Sequence, residues 1–231
     1  MPFSAENHLI EILPRAARKR LLALCEPVHF ALAQVLFQPG EVLRYVFFPI
    51  DGFASLVTVI DNELELEIGM VGREGMLGAH VALGVFISPA RALVLGPGSA
   101  WRVSAAAFKR ELLNGSDLAN VLFHYLYVLS AQQTAGAACQ HYHLISARLA
   151  RWLLMSQDRA HTSRFHVTHE LLATLLGVRR VGITAAAGAL QRDGAIRYHR
   201  GNVEVVSREL LELAACGCYV ADGRTYANQI G

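Results

Sequence analysis

Charge is scarce in this chain. Only 17% of its 231 residues are Asp, Glu, Lys or Arg, against 53% hydrophobic ones, a balance that excludes a disordered chain and demands a buried core. Long apolar runs are missing too: none approaches the roughly 20 residues needed to cross a bilayer. The opening residues, Met1 to His8, have neither the basic segment nor the apolar stretch of a secretion signal. A cytoplasmic location without a membrane partner is therefore expected. Cysteines number four, at positions 25, 139, 216 and 218, and a cytosolic chain keeps them reduced. The close pair Cys216-Gly217-Cys218 is not a complete metal site. Idle thiols, with no metal and no cofactor, are the main expectation, and a metal held across a dimer with histidines is the lesser one. Catalytic signatures are absent as well. No nucleophile–base pair, phosphate-binding P-loop, H-E-x-x-H or paired carboxylates stand at a plausible site, so an enzyme is not expected.

What charge there is lies unevenly. From Ser146 onward the chain has 11 Arg and no Lys against 7 Asp and Glu, while the preceding part has 10 Lys and Arg against 12 acids. A basic final third behind an acidic front suits a polyanion-binding module attached to something else.

Three textures follow one another. Asn7 to about Cys25 predicts a short amphipathic helix, or two broken at Pro14, capped by Asn7. From Val28 to about Val103 the period falls to two: Leu64, Leu66, Ile68 and Met70 alternate with Glu63, Glu65, Glu67 and Gly69, as in a strand with one wet face. Turn signals recur at Pro39-Gly40, Asp51-Gly52, Asp61-Asn62 and Gly96-Pro97-Gly98, which together indicate an antiparallel barrel or jelly roll. A short helix over 105–113 then precedes a long one from Ser116 to a bend at His141-Tyr142-His143. On it Leu118, Leu122, Tyr125, Leu129, Gln132, Gly136 and Cys139 recur at spacings of four and three. That stripe predicts either packing on the chain's own barrel or a parallel dimer seam. The seam is favoured because the opposite face, with Phe123 and Leu126, is apolar too, and a helix apolar on two sides needs two partners.

The segment from His166 to Val206 is the most specific. Thr168 is a good N-cap, Leu171, Leu172, Leu175 and Leu176 form one apolar face, and Gly177 ends the helix. A second helix is expected over about 179–192. Ala173, Gly177 and Ile183 supply the small residue at a crossing, the turn glycine and the branched anchor that two steeply crossed helices require. Residues 195–199 and 203–206 then flank the basic tip Arg200-Gly201-Asn202, which predicts a hairpin wing.

This order of glycine-rich barrel, long helix and winged helix-turn-helix resembles the Crp/Fnr superfamily of bacterial regulators over nearly the whole chain. The segments Phe37-Gln38-Pro39-Gly40-Glu41 and 45–52 in the barrel carry the likeness, with 176–184 and Cys216-Gly217-Cys218-Tyr219 resembling a less-characterised branch. The resemblance implies an α+β fold with three parts: an effector-sensing, cyclic-nucleotide-binding-like jelly roll over 1–115, a dimerisation helix and hinge over 116–143, and a winged helix-turn-helix over 144–231. It further implies a homodimeric, sequence-specific transcription regulator with double-stranded DNA, and possible RNA polymerase contact, as partners. Arg180 then stands where such regulators reach guanine, with Arg179 adjoining as a base reader or a phosphate contact. Val181 and Ala185 replace the family's other specificity residues. Thr168, His169, Thr184, Arg197, His199 and Arg200 are candidate phosphate contacts, or else ordinary polar surface. Gly78 and Arg91-Ala92 resemble the family's effector anchors, but Ala79 stands where the ribose-binding glutamate would be. Cyclic AMP is therefore not the expected effector, and an unknown small molecule is left in its place. Arg91 is either an anion anchor or a surface ion-pairing arginine. The competing reading is a ligand-binding or protein-interaction module that uses the helix-turn-helix for assembly.

Overall fold

The computed structural model describes residues 7–61 and 64–231. Asn62 and Glu63, from the expected turn and wet face, lie outside the described residues, as do the first six residues. The N-terminal segment breaks at Pro14 into α1 (His8–Glu11) and α2 (Arg15–Leu22). Asn7 caps α1 by accepting from the Ile10 amide, and its own amide donates to the Pro49 and Gly75 carbonyls at 2.9 Å, fixing the helix to the barrel.

The described residues of the barrel form seven strands: β1 (Glu26–Phe30), β2 (Val35–Phe37), β3 (Tyr45–Pro49), β4 (Phe53–Ile60), β5 (Leu64–Val71), β6 (Arg91–Gly96) and β7 (Gly98–Ser104). They form two antiparallel sheets, ordered β1-β7-β3 and β2-β6-β4-β5. Phe30, Val46, Phe48, Ala54, Val94 and Val103 fill the space between them. The expected simple alternation on β5 fails for a visible reason. Leu56 pairs with Gly69 but Val57 pairs with Glu67, so a bulge at Ile68 shifts the phase. The outer sheet face is not wet either. Phe53, Val57, Met70 and Leu95 join a second core with the helices that follow the barrel.

Those helices are α3 (Ala105–Leu113), α4 (Ser116–Tyr142) and α5 (Ile145–Ala160). The first half of the predicted dimer seam on α4 requires correction. Leu118, Leu122 and Tyr125 are buried in the chain's own barrel core, and Leu129 packs against it. Tyr125 also accepts from the Met76 amide at 3.2 Å through its hydroxyl. Gln132 and Gly136 line a cavity of about 340 Å³ between α4, β5 and α5. Burying each large side chain of this stripe contributes roughly 1.5–3 kcal/mol, so the barrel claims the stripe. Of the second apolar face, Leu126 packs against the barrel core, while Phe123 is left open at 53% exposed, beside Tyr127 at 59%. Two apolar faces were legible in the sequence, but which of them the barrel takes was not.

The C-terminal module contains β8 (Arg164–His166), α6 (His169–Leu176), α7 (Arg180–Arg192), β9 (Ile196–His199), β10 (Asn202–Val205), α8 (Arg208–Ala214) and α9 (Cys218–Ile230). Strands β8-β10-β9 form one antiparallel sheet, of which β8 was not foreseen. Helix α9 leaves the module and returns to the barrel: Tyr226 bonds His8 and the Glu74 carbonyl, each at 2.7 Å. Among the described residues, no single helix is long and apolar enough to cross a membrane.

Candidate nucleic-acid interface

Helices α6 and α7 meet at 110°, within the roughly 90–120° of a helix-turn-helix. Thr168 caps α6 by accepting from the Leu171 amide at 3.1 Å. Gly177 ends α6 with φ +61°, and a Cβ there would lie 2.7 Å from the Leu66 side chain of β5. A side chain at this position would meet both backbone strain and a collision. Ile183 is fully buried with Leu172, Ala173, Leu175, Ala187 and Leu190, as the spacing required.

Arg179 is the residue before α7 and Arg180 the first within it, and both are exposed. Cations at a helix N-terminus oppose the helix dipole, at a cost of a few tenths of a kcal/mol. Among the described residues neither arginine forms an ion pair that would offset this cost. Positive side chains beside free helix-terminal amides make a strong anion-facing surface. Next to them, His199-Arg200-Gly201-Asn202 makes the wing tip, with φ of +48° at Arg200 and +81° at Gly201. Positive φ at both central residues marks the tight hairpin turn whose twist matches its strands. His199 and Arg200 point out into solvent.

The other expected contacts have local duties. His169 Nδ1 lies 3.1 Å from the Thr184 hydroxyl, which itself donates to the Arg180 carbonyl at 3.1 Å. With the hydroxyl hydrogen so committed, the imidazole is the donor. Burial, and then the Arg180 charge, hold His169 below its ordinary pKa, and its ring stacks 4.3 Å from Tyr198. His169 and Thr184 therefore brace the start of α7, while Thr168 is occupied as a cap. Arg197 pairs with Glu204 at 2.8 Å, as does Arg164. These two hold the Glu204 carboxyl below its usual range, the Arg164 hydrogen bond first. Arg164 and His166, on the unforeseen β8, add to the basic wing; a three-residue strand is too short to give a periodic signal.

Each of the three expected effector anchors has its own local surroundings. Ala92 is fully buried between β2 and β4. Arg91 pairs with Glu65 at 2.7 Å and donates to Gln38 at 3.0 Å, so it serves as an ion-pairing arginine. Gly78 sits beneath Leu43 and Val46 on the opposite sheet's side. A cavity beside Gln132 is lined also by Glu67, Arg148, Arg151 and Asp222.

Glu67 joins barrel to module, accepting from Trp152 Nε1 at 3.2 Å and from the Ser55 hydroxyl. The residue as a whole is half-buried, yet its carboxylate is enclosed against these donors. Burial pushes it up to about 7, outweighing the hydrogen bonds and the Arg151 and Arg159 charges. An acid raised above its unfolded value of about 4.3 weakens the fold as pH climbs through that interval, and the loss is complete above the folded value. Glu67→Gln is expected to raise stability at about pH 8 by on the order of 1 kcal/mol after solvent screening, with little change at about pH 4.5. Thermal melts at the two pH values test this, and an equal shift at both would contradict it.

Residues 147–214 match the family of Crp-like helix-turn-helix domains. Among solved structures, the c-di-GMP responsive global regulator CLP of Xanthomonas campestris aligns with TM-score 0.67 at 16% identity, over 84% of this chain and 100% of that one. A CRP-family transcriptional regulator from Thermus thermophilus aligns with TM-score 0.66 at 20% identity, over 81% and 96%. A second regulator from that organism, of the CRP/FNR family, gives 0.64 at 22% identity, over 82% and 98%. Comparison with curated proteins finds no match.

Proposed function

We propose that this chain, whose residues 147–214 match the Crp-like helix-turn-helix family, is a homodimeric transcription regulator of the Crp/Fnr type that binds a specific DNA site. The observation that carries the reading is the pair Arg179 and Arg180, exposed at the head of α7 and without ion-pair partners among the described residues, beside a basic wing tip. Arg180 reads a guanine in the major groove, and Arg179, His199 and Arg200 engage phosphates. Because Thr168, His169, Thr184 and Arg197 already have local partners, their contribution to binding is mainly to hold this surface in shape. Binding to labelled duplex DNA across a salt series tests the reading. A steep fall of affinity with salt supports it, and salt-insensitive or absent retention overturns it.

The second protomer docks on the open face of α4 around Phe123 and Tyr127, setting two α7 helices at half-sites roughly 34–36 Å apart. A promoter-bound dimer of this kind is placed to meet RNA polymerase. Replacing Phe123 and Tyr127 together by Asp is expected to give a folded monomer in sedimentation, with operator affinity at least about tenfold lower. A persistent dimer would place the seam elsewhere. Cyclic AMP is not the effector, since Ala79 offers no carboxylate to a ribose and Arg91 is already paired. Operator affinity should stay unchanged when cyclic AMP is added, and a panel of other cyclic nucleotides identifies any that acts.

A further inference from the structure

Cys139 and His143 stand one helical turn apart at the end of α4, and Cys216 and Cys218 flank the glycine that starts α9. Folding brings these four together within a single chain: their ligand atoms all lie within 4.8 Å of one another. Cys139 Sγ is 3.5 Å from Cys216 Sγ, and Cys218 Sγ is 3.7 Å from His143 Nδ1. We propose that Cys139, His143, Cys216 and Cys218 form a mononuclear, tetrahedral Cys3His site for a zinc ion.

Three observations support it. The first is size: Zn–S bonds of about 2.3 Å and Zn–N bonds of about 2.0–2.1 Å make a tetrahedron with edges of roughly 3.5–3.8 Å, which the two measured separations match. An iron–sulfur cluster spreads its ligands over two or more irons and needs a wider cage. The second is location: Cys139 and Cys216 are buried, yet neither belongs to the two apolar cores. Hydrophobic packing therefore does not explain why two thiols meet here. The third is the surrounding charge. Three thiolates and a neutral imidazole on Zn²⁺ leave one negative charge, and Arg151 Nη1 lies 3.9 Å from Cys139 Sγ. Arg151 is itself held by Asp222 of α9, giving the outer support that metal ligands require. Soft thiolates with one imidazole in tetrahedral array favour zinc over harder cations.

The ion would tie the hinge after α4 to the junction of α8 and α9, and so fix how the DNA-binding module sits on the barrel. This site stands independently of DNA binding, because its test reads metal alone. Purified under reducing conditions without chelator, the full chain is expected to carry about one zinc per protomer. Cobalt substitution should give the d–d and thiolate charge-transfer bands of a tetrahedral, thiolate-rich ion. Cys216→Ser and Cys218→Ser should each lose roughly tenfold or more in zinc affinity, whereas Cys25→Ser should keep it. Should those variants fail to fold, chelator competition on the wild-type chain measures affinity directly, and removal of zinc should lower Tm reversibly. Failure of the reduced wild-type chain to take up zinc, unchanged affinity in folded ligand variants, or iron with acid-labile sulfide would each overturn the proposal.

Discussion

Arg180→Ala is expected to lower operator affinity by roughly 10- to 100-fold, the cost of about 1–3 kcal/mol for one bidentate guanine contact. Affinity for random DNA should fall much less, because only one charge leaves the interface. Arg179→Ala should show the opposite pattern, a uniform loss on all sequences with a reduced salt slope. The contrast comes from placement. Arg180 begins the helix proposed to enter the groove, while Arg179 precedes it on extended backbone. Both are exposed, so the melting temperature should change little, within about 0.5 kcal/mol of stability. Competition binding with operator and scrambled duplex measures the ratio. Equal losses on both duplexes for Arg180→Ala would remove it as a base reader.

Ile183→Asp has a larger expected effect, on the fold itself. Ile183 is fully buried where α7 crosses α6. Aspartate there buries a carboxylate among apolar side chains, costing roughly 3–5 kcal/mol. A module of this size has few kcal/mol to spare, so denaturant unfolding should show the C-terminal module melting early and DNA binding lost for every sequence. Because the outer barrel residues Phe53, Val57, Met70 and Leu95 share this core, the barrel should soften with it. Wild-type stability in Ile183→Asp would mean that α6 and α7 are not held by this anchor.

The helix-turn-helix was the most legible part of the sequence. Ala173, Gly177 and Ile183 answer steric demands that few other folds impose at that spacing, and the observed helices lie within a residue or two of those expected. The barrel's existence was equally plain from its turns, but the phase of β5 was hidden by the bulge at Ile68. The α4 stripe was read as a seam with a second chain, whereas its first half, Leu118 to Tyr125, meets the barrel. Periodicity reports which residues share a face, not what that face meets. The Cys3His cluster was invisible for a related reason. Cys139 with His143 and Cys216 with Cys218 are each incomplete alone, and only the return of α9 to the end of α4 joins them. The same return also explains why the last segment does not belong wholly to the module assigned to 144–231.

The central claim is that this chain locates one DNA sequence through the head of α7. Genome-wide mapping of sites bound by the wild-type chain and by Arg180→Ala tests it most directly. The account predicts a two-fold symmetric motif, with half-sites about one helical turn apart, that vanishes in the variant. Binding without an enriched motif, or a motif unchanged by Arg180→Ala, would contradict it.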